Sequence, residues 1–202
     1  SAEMVWFVAL PSSFALCLVP LPLVSALFEH GETSRQDALA ISYATAIYGL
    51  GLPAFMIQKL LQPLYFARED TKTPLRFAVI SMLLNAILAI TLLKVMGWIA
   101  VAVAASASAW VTSILLWISA KKFGRAASAL KTSTNRIKRT FFASLVMGII
   151  LWAASQNMYI AMQTSAERVF FAIGLVFAGS TIYLVIVYML QAFPKNSEKA
   201  LN

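Results

Sequence analysis

Residues 95–120 read VMGWIAVAVAASASAWVTSILLWISA, twenty-six positions without one ionisable side chain. At about 1.5 Å rise per residue, a helix of that length reaches about 39 Å. The hydrocarbon core of a bilayer is about 30 Å thick, so the stretch is long enough to cross it. Runs of the same kind lie on either side, at residues 4–28, 38–67, 77–93, 140–166 and 169–194. The second is interrupted only by Lys59, and the third is the shortest. None alternates polar and apolar residues with period two, as the strands of a membrane barrel do. Backbone groups in lipid must be satisfied within the segment, which makes these runs helices. The fold expected is an all-α polytopic membrane protein with six transmembrane helices.

Composition agrees. Of 202 residues, 60% are hydrophobic and 12% charged, with a mean hydropathy of +0.79. Soluble domains average about 45–50% apolar and about 25% charged, and a single core of this size buries only about 70% of the surface its unfolded chain exposes. A soluble fold, a disordered chain and a polar nucleic-acid-binding domain are excluded. One cysteine, Cys17, and one histidine, His30, rule out a disulfide framework and a Cys- or His-based metal site. Residue 1 is Ser, and no basic stretch or small-residue cleavage site precedes the run at 4–28, so that run reads as a span rather than a signal peptide. The missing Met points to a processed, truncated or excerpted chain.

Charge sets the orientation. The chain carries 16 Lys and Arg against 8 Asp and Glu, a net +8. With an even number of spans both ends share one side. That side holds Arg68, Lys72 and Arg76 after the second span, seven basic residues between Lys121 and Arg139, and Lys195 and Lys199 in the tail. The other side holds Arg35, Lys94 and Arg168. The basic side is expected in the cytoplasm. The 121–139 loop is read first as this orientation signal, with attraction to anionic lipid, rather than as a polyanion site, since Phe123 is its only aromatic residue. It also divides the chain into four helices over 1–122, a basic loop over 123–139, a helix pair over 140–194 and a tail over 195–202.

Three features break the apolar pattern. Pro11, Pro20 and Pro22 lie in the first run, and Gly49, Gly51, Pro53 and Pro63 in the second. Internal prolines remove a backbone hydrogen bond and kink a helix. The bends serve either packing or a bundle that opens alternately on its two sides, with Gly51, Pro53 and Pro63 as hinge positions. Lys59, beside Gln58 and three positions before Gln62, either lines a hydrated path for an anionic substrate or snorkels to the headgroups from a run of about 45 Å. Asn85 and the small residues of the fourth run, Ala100 to Ala109, read first as helix-packing features, Asn85 also being a candidate lining residue of that path. No paired carboxylates, nucleophile triad, glycine-rich phosphate loop or metal spacing is present, so no catalytic residue, metal or cofactor is expected.

Three strings carry a family resemblance: LFEHGETSRQDA at 27–38, YGLGLPAFMIQKLLQPLYFAREDTKTPLRFAVIS at 48–81, and GWIAVAVAASASAWVTSILLW at 97–117. Together they resemble the C-terminal half of the MurJ/MviN lipid II flippases of the MOP transporter superfamily. The resemblance covers essentially the whole chain and weakens after about Arg139. It implies a fourteen-helix architecture, two six-helix lobes about a central cavity followed by two further helices. The six spans here would correspond to helices 9 to 14, the last pair forming a groove that accommodates lipid. The ends of these helices are cytoplasmic in that family, as the charge count independently predicts.

The function implied is transfer of the undecaprenyl-pyrophosphate-linked peptidoglycan precursor from the inner to the outer leaflet of the bacterial cytoplasmic membrane, by alternating access, for cell-wall synthesis. Rocking of two bundles about a midplane site is a common transporter solution. Lys59, Pro63, Arg68, Asp70, Thr73 and Pro74 match motif positions. Of these, Lys59 is the cavity candidate, and Arg68, Asp70, Thr73 and Pro74 belong to a cytoplasmic turn; His30 is assigned no role. The expected partners are the lipid-linked precursor, membrane lipids and a missing N-terminal lobe in the same or a separate chain, with no nucleic acid. An ion gradient or the membrane potential is the candidate driving force. The alternatives are an exporter of another lipid-linked glycan or drug, and a non-transporting membrane remnant.

Overall fold

The computed structural model describes residues 2–29, 33–123, 134–159 and 164–191. His30, Glu32, Arg125, Lys131, Pro194, Lys195 and Lys199 lie outside them. The described residues form seven α-helices in chain order: α1 Ala2–Leu18, α2 Pro20–Phe28, α3 Arg35–Phe66, α4 Lys72–Met96, α5 Ile99–Ala120, α6 Thr134–Tyr159 and α7 Ser165–Met189. A single 3₁₀ turn, Lys121–Phe123, extends α5. Five of these helices are long and apolar enough to cross a membrane, and six spans result if α1 and α2 count as one broken span.

The first expected span is therefore not one helix. It breaks at Val19, and its halves meet at 79°. Pro20 is the cause: a residue before proline is pushed out of the helical region, and Val19 sits at φ −127°, ψ 45°. Pro20 and Pro22 then occupy the first turn of α2, where a missing amide costs nothing.

Other boundaries move for local reasons. The helix α3 starts at Arg35, earlier than the charge-free run, because Ser34 and Asp37 cap it reciprocally: Asp37 N donates to Ser34 Oγ at 3.3 Å and Ser34 N to Asp37 Oδ2 at 3.0 Å. The third span is not short. The helix α4 takes in Lys72, Arg76 and Lys94 at its ends and reaches 25 residues, and Gly97 at φ +58° stops it. The last two helices run over 134–159 and 165–189 rather than 140–166 and 169–194. Glu167 Oε2 accepts from Thr164 N at 3.3 Å and opens α7 earlier than the apolar run.

The helices form two packed groups, joined where α1 and α2 pack on α3. In one, α5 lies between α3 and α4; in the other, α6 and α7 pack on the broken first span. Five side-chain bonds to carbonyls of the facing helix join α3 and α5, among them Ser106 Oγ to Ile47 O at 2.8 Å, Trp110 Nε1 to Leu50 O at 3.0 Å and Ser113 Oγ to Ala54 O at 2.7 Å. The small residues of α5 are what let the backbones come this close.

Arginine contacts at the helix ends give the direction of the α6–α7 pair. Arg139 Nη1, near the start of α6, donates to Leu190 O at the end of α7 at 2.9 Å, so the two are antiparallel. Arg136 pairs with Glu3 at 2.6 Å and Arg168 with Glu29 at 2.6 Å. The start and end of the broken span therefore sit at opposite ends of the hairpin, as a single traverse requires.

Candidate functional site

Polar side chains within the spans gather in a cleft of about 340 Å³ between α3, α4 and α5. The contributing positions recur at helical spacing: Gln58 and Gln62 on α3, Ser81 and Asn85 on α4, Ser108 and Thr112 on α5. Residues four apart share a helix face, and the register of the three helices brings the three pairs together. Gln58 Nε2 donates to Ala109 O at 2.8 Å, Ser81 Oγ to Ser108 O at 3.3 Å, and Thr112 Oγ1 to the same carbonyl at 2.8 Å. The Oδ1 of Asn85 is buried and accepts no hydrogen bond among the described residues. Among apolar helices such an atom is costly to leave unpaired, so the cleft favours a hydrogen-bonding occupant.

The expected path residues divide. Gln58, Gln62 and Asn85 line the cleft; Lys59 does not, and its side chain is exposed. It stands about 100° round α3 from Gln58, as adjacent residues of a helix must. Ser81 and Thr112 were not singled out from the sequence, and Ser108 was read only as a packing residue, although Ser81 with Asn85 and Ser108 with Thr112 repeat the spacing of Gln58 with Gln62.

The three bend positions also differ. Pro53 is buried and Pro63 exposed. Gly51 is a point of contact: a Cβ there would lie 2.8 Å from Ser106 Oγ and 3.2 Å from Ser106 Cα. The helix α3 runs through both prolines.

The turn after α3 is tied to the end of α5. Tyr65, with no exposed surface, donates its hydroxyl to Leu116 O at 2.7 Å and meets Phe123 edge-on at 5.0 Å. The Arg68 guanidinium lies 4.5 Å from the Phe123 ring centroid and donates to Phe123 O at 3.4 Å. Asp70 Oδ1 accepts from Thr73 N at 3.0 Å. The Thr73 side chain and then its backbone amide hold the Asp70 carboxyl below its usual range, with a smaller contribution from the Arg76 and Lys122 charges. Pro74 is buried in the first turn of α4. Arg68, Asp70, Thr73 and Pro74 thus form one turn, anchored by Tyr65 and Phe123, to which the sequence reading gave no such role.

A second cavity, about 350 Å³ and almost wholly apolar, lies between the first span and the α6–α7 pair. Phe7, Pro11, Leu151 and Tyr183 are among its walls.

A family model described as lipid II flippase MurJ matches residues 1–171. The chain belongs to the MurJ lipid II flippase family. Two of its curated MurJ relatives are described as probable lipid II flippases. That of Rhizobium meliloti is 34% identical over 191 residues, covering 93% of this chain and 36% of the relative. That of Vibrio cholerae is 30% identical over 198 residues, covering 98% and 38%. A solved structure titled "Lipid II flippase MurJ, inward closed conformation" aligns with a TM-score of 0.76 at 24% identity, covering 93% of this chain and 37% of its own, and supports the fold. The chain spans little more than a third of the length of these MurJ proteins. It is a multi-pass membrane protein of a family of transporters rather than enzymes.

Proposed function

We propose that this chain is the C-terminal portion of a lipid II flippase and forms part of the path taken by undecaprenyl-pyrophosphate-linked peptidoglycan precursor from the inner to the outer leaflet of the bacterial cytoplasmic membrane. The observation that carries this reading is the family match over residues 1–171, which includes the whole cleft. Movement is by alternating access, driven by an ion gradient or the membrane potential, and serves cell-wall synthesis.

In this reading residues 1–122 belong to the second lobe and 140–194 form the additional helix pair, joined by the basic segment 123–139. The Lys/Arg distribution supports a cytoplasmic position for both ends and for the tail at 195–202. Gln58, Gln62 and Asn85 offer amides to the hydroxyls and peptide groups of the head, and Ser81, Ser108 and Thr112 add hydroxyls. Lys59, on the neighbouring face of α3, supplies a cation for the pyrophosphate. Pro53 and Pro63 shape the bend of α3, with Gly51 as the contact about which it turns. The apolar cavity beside α6 and α7 accommodates part of the polyprenyl chain. The other lobe, in the same or a separate chain, completes the cavity.

The test is growth of a bacterium depleted of its own MurJ and carrying a chimera of the N-terminal portion of the Rhizobium meliloti relative with this chain. The expected result is growth, weakened by Lys59→Ala and by Asn85→Leu. A chimera that inserts at normal abundance yet never sustains growth contradicts the reading, and full growth with Lys59→Ala removes that residue from the path.

A further inference from the structure

A proline at position i inside a helix has no amide to give the carbonyl at i−4. In lipid that carbonyl needs a donor from elsewhere. Pro11 vacates the carbonyl of Phe7 on α1, and the hydroxyl of Tyr183 on α7 donates to it at 2.6 Å. Tyr183 is 5% exposed, and its ring packs on that of Phe7 at 5.2 Å. Pro53 vacates the carbonyl of Gly49 on α3, and Ser13 Oγ on α1 donates to it at 2.7 Å. Ser13 is 8% exposed.

The other prolines within the described residues make no such demand in the interior. Pro20, Pro22 and Pro74 lie in first turns, and Pro63 vacates the carbonyl of Lys59 on an exposed turn. Ser12, next to Ser13, bonds Val8 O within its own helix at 2.9 Å, a carbonyl that an internal amide also serves.

We propose that Tyr183 and Ser13 are latches at the two helix-internal prolines Pro11 and Pro53, linked in series through α1. The helix α7 holds α1 at the Phe7 carbonyl, and α1, two residues beyond Pro11, holds α3 at the Gly49 carbonyl. A vacated carbonyl lacks the amide four residues on, so separation of the helices takes away the donor that stands in for it. The α6–α7 pair, the first span and α3 therefore move as one body while latched, and α3 is released at Pro53 only with α1. The device is independent of which substrate the protein carries.

Restoring the amide distinguishes a latch from an ordinary hydrogen bond. Tyr183→Phe and Ser13→Ala each lower the thermal midpoint of the membrane-extracted protein by about 2–4 °C, the shift that loss of one buried hydrogen bond gives in a chain of this size. In the Pro11→Ala and Pro53→Ala backgrounds, respectively, the same changes leave the midpoint unmoved, because the alanine amide now serves the carbonyl. Equal losses in both backgrounds overturn the proposal.

Hydrogen exchange tests the linkage. Tyr183→Phe speeds exchange of amides 46–54 on α3 as well as 7–15 on α1, and acceleration confined to α1 refutes coupling in series. If the alanine variants do not insert, the comparison of neighbours decides. Ser13→Ala lowers the midpoint, Ser13→Thr restores it and Ser12→Ala is silent; equal effects of Ser12→Ala and Ser13→Ala contradict the latch.

Discussion

Replacing Gly51 by alanine puts one methyl group where α3 and α5 are closest. That carbon would lie 2.8 Å from Ser106 Oγ, 3.1 Å from Ser106 Cβ and 3.2 Å from Ser106 Cα. Rotating the hydroxyl away relieves only the first contact, because Cβ and Cα are fixed to the α5 backbone. The helices must separate by a few tenths of an ångström. This costs about 1–3 kcal/mol, as overpacking a well-filled interior does. It also strains the Ser106 bond to Ile47 O, worth about 0.5–1.5 kcal/mol. Alanine returns about 0.5–1 kcal/mol over glycine in a helix. The net loss expected is about 1–3 kcal/mol, at about 2–4 °C in thermal midpoint per kcal/mol for a chain of this size. Thermal unfolding in detergent, followed by tryptophan fluorescence, measures it. Gly174→Ala is the internal control: nothing lies within 4 Å of its added carbon, so only the helical gain remains and the midpoint rises. Adding Ser106→Gly to Gly51→Ala should recover part of the loss. A midpoint for Gly51→Ala at or above that of the parent protein refutes the close-contact argument.

Further outcomes follow from the ends of the helices. Arg168→Met costs more than the ~1 kcal/mol ceiling of an exposed ion pair, because the Arg168 and Glu29 side chains are only 13% and 9% exposed. Arg136→Met stays within that ceiling, its pair being 26% and 20% exposed; thermal midpoints in the reverse order contradict this ranking. The Asp70 carboxyl titrates below its ordinary value because Thr73 stabilises the charged form. Its contribution is present at neutral pH and is lost as pH falls through the lowered folded-state value. In Thr73→Val the Asp70 midpoint, read by carboxyl-carbon NMR, rises toward the ordinary range, and an unmoved midpoint rejects the assignment.

The membrane fold was legible because it depends on length and charge alone: runs such as 95–120 have no soluble reading. The break at Val19 was half legible. Pro20 and Pro22 announced a bend, but a kink in one helix and two helices at 79° share the same proline signal, and only the backbone of Val19 tells them apart. The ends of α4 were misjudged because Lys72, Arg76 and Lys94 were counted against the span, whereas long basic side chains extend from helix ends. In the cleft, Gln58 and Gln62 drew notice beside Lys59. Ser81 and Thr112 did not, and Ser108 was read as packing, because a hydroxyl on a membrane helix reads equally well as packing until the register of three helices is known. The Tyr183 bond to Phe7 joins residues 176 positions apart, and no local pattern announces it.

The arrangement of six traverses with both ends in the cytoplasm is tested most directly by membrane-impermeant thiol labelling of intact cells, with single cysteines at Ser34, Gly97, Glu69 and Lys121 in a Cys17→Ser background. The account predicts that positions 34 and 97 are labelled from outside, and that 69 and 121 react only after the membrane is opened. Labelling of 69 or 121 in intact cells, or protection of 34 and 97, contradicts it.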